Sequence, residues 1–166
     1  LLLPNNANIV PVARQVDALT AKTVRVVPTT GMAQGLGAML PFDASLAVDA
    51  NLAPMTDAAA KVVSGEVTRA VRDSTTDAGA VREGDWLGLS DGRIRVVEAT
   101  LAGAAVALLE RLVDESHELV TVVAGDGSDE DSTRRVADWL AEHHPEVAVE
   151  VHQGGQPLYP YLFAVE

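Results

Sequence analysis

Three times in this chain a short apolar run gives way to a polar turn and then to apolar residues at helical spacing. "LLLP" leads through "NNAN" to Ile9, Val12, Ala13, Val16 and Leu19. "VRVVP" leads through Thr29 and Thr30 into "GMAQGLGAML", and "LVTVVAG" leads through "DGSDED" to Val136, Trp139 and Leu140. Strand alternating with helix, with consecutive elements adjacent in space, predicts an α/β fold: a mostly parallel sheet with flanking helices.

The middle of the chain departs from that rhythm. "REGDWLGLSDGRIRVVEA" reads as a β-hairpin turning at Asp91-Gly92, a pair suited to positive φ, and so predicts a hairpin-containing second lobe. "EVTRAVRDS" alternates as a strand. Val48, Leu52, Met55, Ala59 and Val62 stay in phase through Pro54, which predicts one helix kinked at the proline, with Gly65 as its stop. Pro11 belongs in a first helical turn, which makes Asn8 the expected cap. Thr100 is the expected cap for the helix carrying Leu101, Ala105, Leu108 and Leu112. Ser128 and Asp131 have capping-box spacing for the next helix. "VAVEVH" and Leu158–Val165 read as the last two strands, and a joint between lobes is expected near 41–47.

Composition removes several function classes. The chain of 166 residues is 48% apolar and 22% charged, which is enough to build a core. A formal charge of −12, with Lys22 and Lys61 the only lysines, repels phosphate backbones and anionic membranes. Without cysteine there is no disulfide and no thiolate metal site, so a metal would need His, Asp or Glu. No apolar run approaches the roughly 20 residues that span a bilayer. "LLLP" lacks the basic flank of a signal peptide and reads instead as a strand whose beginning has been cut away.

Ligands of parallel α/β sheets sit outside the carboxyl ends of strands, and four polar segments fall there. "PNNAN" offers Asn5 and Asn6 to an anion at a helix start, or simply as capping and turn residues. "PTTGMAQG" offers Thr29, Thr30 and Gln34 beside glycines that admit a close backbone approach. It matches neither a P-loop nor a dinucleotide fingerprint, and a plain capped helix is the competing reading. "GDGSDED" gathers Asp126, Asp129, Glu130 and Asp131. The EF-hand order is not met, and acids in a first helical turn are explained by the dipole. "HQGGQP" places His152 before Gly154, Gly155 and Gln156, either as an anion nest with a titratable partner or as a bare loop between strands. No nucleophile elbow is present, and no two histidines share metal-ligand spacing with a carboxylate.

Taken in order, "LPNNANIVPVARQV", "VRVVPTTGMAQGLGAML", "GEVTRAVRDS", "REGDWLGLSDG" and "VEVHQGGQPLYPYLFAVE" resemble the C-terminal region of the large subunit of bacterial fatty acid kinases, a dihydroxyacetone-kinase-like family. The resemblance runs over residues 1–166. It implies a DegV-like fold and one C-terminal domain of a longer cytoplasmic kinase chain. ATP and Mg²⁺ would be held by the N-terminal kinase domain, with no cofactor in this part. The implied partner is a DegV-like fatty-acid-binding protein whose acyl carboxylate is phosphorylated to acyl phosphate for phospholipid synthesis, and a homodimer of the full-length subunit is compatible with it. In that light Thr29 and Thr30 resemble the carboxylate-binding hydroxyls of the lipid binders. His152 with Gly154 and Gly155 resembles their histidine and glycine-rich turn, although Gln153 and Gln156-Pro157-Leu158-Tyr159 stand where those proteins show a Gly-Pro-Gly run. Docking of the acyl-carrying partner is the leading expectation. A small-molecule site for an acyl or phosphorylated anion is the alternative, and a stand-alone phosphatase or dihydroxyacetone-type kinase acting through His152 is the third.

Overall fold

A computed structural model describes Leu1–Glu166, which divide into two compact units, Leu1–Val63 and Ser64–Glu166. The 41–47 segment lies within the first unit.

In the first unit the two expected strands meet in a single parallel bridge, Leu2 with Val26. The Leu2 amide donates to Arg25 O and the Val27 amide to Leu2 O. Pro4 and Pro28 lack the N–H that would extend the ladder, so it stops there. The helix expected from Ile9 to Leu19 is also shorter. α1 covers Val10–Ala13, and a separate 3-10 turn covers Val16–Leu19. Of the expected stripe only Ala13 reaches the core, joined by Val10, which the stripe left out, while Ile9, Val12 and Leu19 are exposed; the β-branched run disfavours continuation. Ile9 is the N-cap rather than Asn8, whose amide instead donates to Asn6 Oδ1 at 2.9 Å in an Asx turn.

α2 (Met32–Met39) starts from Gly31, not from a threonine. α3 (Val48–Lys61) runs unbroken through Pro54 and ends at Val62, so Gly65 is not its stop. Val27, Ala38, Met55 and Ala59 form the core of this unit, with Leu1, Leu3 and Leu52 packed on it. Asn51 is buried, but its carboxamide bonds both the amide and the carbonyl of Asp43, each at 2.8 Å. That pair fixes the turn leading into α3, and buried polar groups require such partners.

The second unit is built from β1 (Val63–Arg69), β2 (Ser74–Thr76), β3 (Gly79–Val81), β4 (Trp86–Ser90), β5 (Arg93–Glu98), α4 (Leu101–Leu112), β6 (Leu119–Ala124), α5 (Glu130–His143), β7 (Ala148–Gln153) and β8 (Tyr161–Val165). Six strands form one sheet in the order β5-β4-β1-β8-β6-β7, and β2 pairs with β3 in a separate ribbon. The sheet is mixed rather than mostly parallel. β6 and β7 are parallel, whereas β1–β4, β4–β5 and β6–β8 are antiparallel.

Connection length explains the difference. α5 supplies the long crossover that a parallel pair needs. β4 and β5 share the expected two-residue turn, with Asp91 and Gly92 at φ 53° and 69°. The chain after β7 is too short for a crossover and brings β8 back antiparallel to β6. β8 is buried along its whole length.

α4 is capped by Thr100, whose hydroxyl accepts from the Gly103 amide at 3.1 Å, as the sequence predicts. Gly65 lies in β1 under this helix. A Cβ there would fall 2.7 Å from Leu112 Cδ1 and 3.2 Å from Phe163, so close helix–strand packing explains the glycine. α5 is capped by Asp129 instead of Ser128. Asp129 Oδ1 accepts from the Ser132 amide at 2.7 Å, while Ser128 Oγ turns back to Gly125 O.

Candidate functional site

Two of the four polar loops meet in the first unit. Asn5 sits at φ 52°, a conformation asparagine tolerates better than most residues. Its amide donates to Thr29 Oγ1 at 3.1 Å, joining the two strand ends. Thr29 is fully buried, so its hydroxyl braces the loops from inside. The Asn5 carboxamide lies across Gly35, where any Cβ would overlap it, and Asn5 Oδ1 is buried without a partner. The Thr30 amide and hydroxyl both donate to Gln34 Oε1, at 2.8 and 2.9 Å. Gln34 thus reaches back across the start of α2 much as the third residue of a capping box does. Asn6 is exposed and serves the Asx turn.

The side of α2 facing away from the core is unusual. Ala33, Gly37 and Ala38 face the core, whereas Met32, Leu36, Met39 and Leu40 are 51%, 52%, 48% and 77% exposed. Their spacing of four, three and one places large apolar side chains along one outward stripe. Below it Leu1, Leu3, Met39, Phe42, Leu46 and Met55 line a cavity of about 390 Å³.

The other two loops meet in the second unit. The Gly154 and Gly155 amides donate to Ala124 O at 2.8 and 3.3 Å, so they close the β6–β7 end instead of forming an open anion nest. The Gln156 side-chain amide donates to Val123 O at 3.0 Å and Tyr159 O at 3.1 Å. The Asp126 amide donates to Gln156 O, and the Gly125 amide to Pro160 O. A Cβ on Gly125 would lie 2.5 Å from the Gln156 and Tyr159 carbonyl oxygens. His152 belongs to β7, is exposed, and meets Glu150 Oε2 at 3.3 Å. Asp129 is held below the usual carboxylate range by the Ser132 hydroxyl and amide, which are capping partners. No three His, Asp or Glu side chains are grouped as metal ligands, and no helix is long and apolar enough to cross a membrane.

A family model for the FakA-like C-terminal region of fatty acid kinases matches residues 1–166. The chain belongs to that family. An uncharacterized protein of Staphylococcus haemolyticus is 36% identical over all 166 residues, and one of Staphylococcus epidermidis is 34% identical over the same span. The chain covers 30% of the length of each of these relatives. A crystal structure of a DegV family protein from Corynebacterium glutamicum shares the fold. It matches with a TM-score of 0.60 at 15% identity, over 93% of this chain and 67% of that one. The FakA-like domain is therefore α/β and DegV-like.

Sequence reading missed two polar features of this family member. Burial raises the Glu66 carboxyl above its ordinary range. The Tyr159 hydroxyl is raised by burial first and by the charge of Glu66 second, which places the two groups together. Nothing in "GEVTR" marks Glu66 beyond its alternation. The outward stripe of α2 is visible in the sequence as apolar residues, but periodicity alone does not say which face is covered.

Proposed function

We propose that this domain docks the acyl-carrying, DegV-like fatty-acid-binding partner of a fatty acid kinase, for acyl phosphate formation on the way to phospholipids. ATP and Mg²⁺ would be held in the remainder of the longer kinase chain. The observation that carries the reading is the outward stripe of α2. Four large apolar side chains on one short helix and its C-cap, two of them adaptable methionines, are characteristic of a surface that another protein covers.

Calorimetric titration of the domain with a fatty-acid-binding protein of the kinase type tests the reading. Micromolar binding is expected, weakened at least about tenfold by Leu36→Asp or Leu40→Asp. Absence of binding at about 100 μM, or binding indifferent to both substitutions, overturns it.

The cavity of about 390 Å³ beneath Met39 and Phe42 favours a second reading, in which the domain holds a small acyl or anionic ligand itself. A ligand at a hundred times its dissociation constant stabilises the folded chain by about 2.7 kcal/mol. A thermal-shift series with fatty acids, acyl phosphate and inorganic phosphate reads this directly, and a flat series removes it.

A further inference from the structure

We infer that the free edge of β7 pairs with a second copy of this chain, antiparallel about a two-fold axis at Val151. β7 ends the six-stranded sheet, and all of its residues but Val149 are exposed. An uncovered edge of this kind is a template for another strand unless it is blunted. At the two ends of β7 the amides of Ala148 and Gly154 donate toward β6, to Glu118 O and Ala124 O. Backbone groups alternate along a strand, so Val149, Val151 and Gln153 turn theirs outward.

Outward groups at odd positions restrict the pairing. In a symmetric antiparallel pair the hydrogen-bonded partners must be odd with odd, and the residues between them form the close, non-hydrogen-bonded pairs. With the axis at Val151, Val151 faces its own copy and Val149 faces the second copy's Gln153. Glu150 then faces the second copy's His152, twice. Within one chain Glu150 Oε2 already meets His152 Nε2 at 3.3 Å. The interface therefore carries a checkerboard in which each carboxylate has an imidazole beside it and another across from it. An imidazole can donate an N–H to a carboxylate in either protonation state. Moving the axis to Glu150 or to His152 sets like against like, which is destabilising directly across a strand pair. Opposite the charged face, Val149 and the exposed Val151 supply apolar cross-strand contact. The self-complementarity of "VEVHQ" is the reason the occupant is a second copy rather than an unrelated strand.

The test is sedimentation equilibrium of the 166-residue chain at about 0.15 M salt, where the Debye length is about 8 Å and repulsion between two chains of charge −12 is screened. A single strand pair is a small interface, so a monomer–dimer equilibrium is expected near 100 μM. His152→Glu places four carboxylates together and should weaken association at least about tenfold. The double variant Glu150→His/His152→Glu rebuilds the checkerboard and should restore it. Val151→Pro, which removes the outward N–H at the axis, should abolish it. Both positions are exposed, and unchanged circular dichroism separates lost pairing from lost folding. A chain that stays monomeric up to about 500 μM, or a dimer indifferent to His152→Glu and to Val151→Pro, overturns the inference, as does a double variant that fails to recover.

Discussion

The Gln156 side-chain amide donates to the main-chain carbonyl of Val123 at 3.0 Å, so a residue of the last loop is fastened to the strand it passes. The same amide donates to Tyr159 O, and one side chain thereby holds both β6 and the approach to β8. Gln156→Ala removes the donor and leaves two inward carbonyls short of a partner. The expected loss is about 1–3 kcal/mol, which for a chain of this size lowers Tm by roughly 2–10 °C. Thermal denaturation followed by circular dichroism checks it. Gln156→Glu should be worse, because a carboxylate would face the carbonyl oxygens.

Thr29 plays the matching part in the first unit, where its buried hydroxyl accepts the Asn5 amide. Thr29→Val keeps the shape and deletes the acceptor, at an expected cost of about 1–3 kcal/mol. Thr29→Ser keeps the acceptor and loses a methyl, costing roughly 1 kcal/mol. Urea unfolding of the two variants separates the explanations. If serine is as damaging as valine, the hydroxyl is not what holds Asn5.

Much of this architecture could be read in the sequence wherever a local rule and the tertiary structure agree. Asp91-Gly92 made the hairpin because only positive φ closes so short a turn. Thr100 capped α4, and α3 ran through Pro54 because its stripe stayed in phase. The DegV-like fold followed from the order of motifs. What could not be read were the choices between equally suitable residues. Asp129 took the cap, while the Ser128 hydroxyl donates to Gly125 O. Gly65 looked like a helix stop, and the packing of Leu108, Leu112 and Phe163 that explains it comes from distant parts of the chain. Among the site residues, the sequence marked the loops of Asn5, Thr29 and Gly154 as strand ends, but the bonds joining Asn5 to Thr29 and Gly154 to the end of β6 were not legible in it. The free amides expected of Gly154 and Gly155 were already taken by Ala124 O, a pairing that depends on strand register. The strand was expected to end at His152, and it continues one residue past it.

Glu66 gives the domain a pH dependence opposite to the usual carboxylate one. Burial raises its folded value above that of the unfolded chain, so the folded state binds the proton more tightly. Its contribution is therefore most favourable below the unfolded value of about 4.3 and is lost as pH rises through the raised folded value. Glu66→Gln should accordingly stabilise the domain at about pH 7, by no more than about 1 kcal/mol for a partly exposed group, and give no gain at about pH 4. Removing the charge also removes one cause of the upward shift at Tyr159, so the alkaline phenol titration should move down. Equal effects of Glu66→Gln at both pH values would refute the assignment.

Leu158 is the remaining anomaly, and its strain can be measured. It sits at φ 71° with its side chain 77% exposed, while its carbonyl accepts from Thr68 Oγ1 at 2.7 Å. A left-handed conformation costs a leucine about 1–2 kcal/mol, and an exposed side chain recovers little of that by packing. Leu158→Gly relieves the strain, and the greater freedom of glycine in the unfolded chain cancels part of the gain. The net expectation is a Tm higher by roughly 1–3 °C. If the leucine is kept for contact with the acyl-carrying partner, the same variant should bind that partner at least about threefold more weakly while melting later. Stability and binding moving in opposite directions is what distinguishes a docking residue from a structural one. A lower Tm would show that the side chain packs in the folded state, and unchanged binding would show that the exposed leucine makes no contact with that partner.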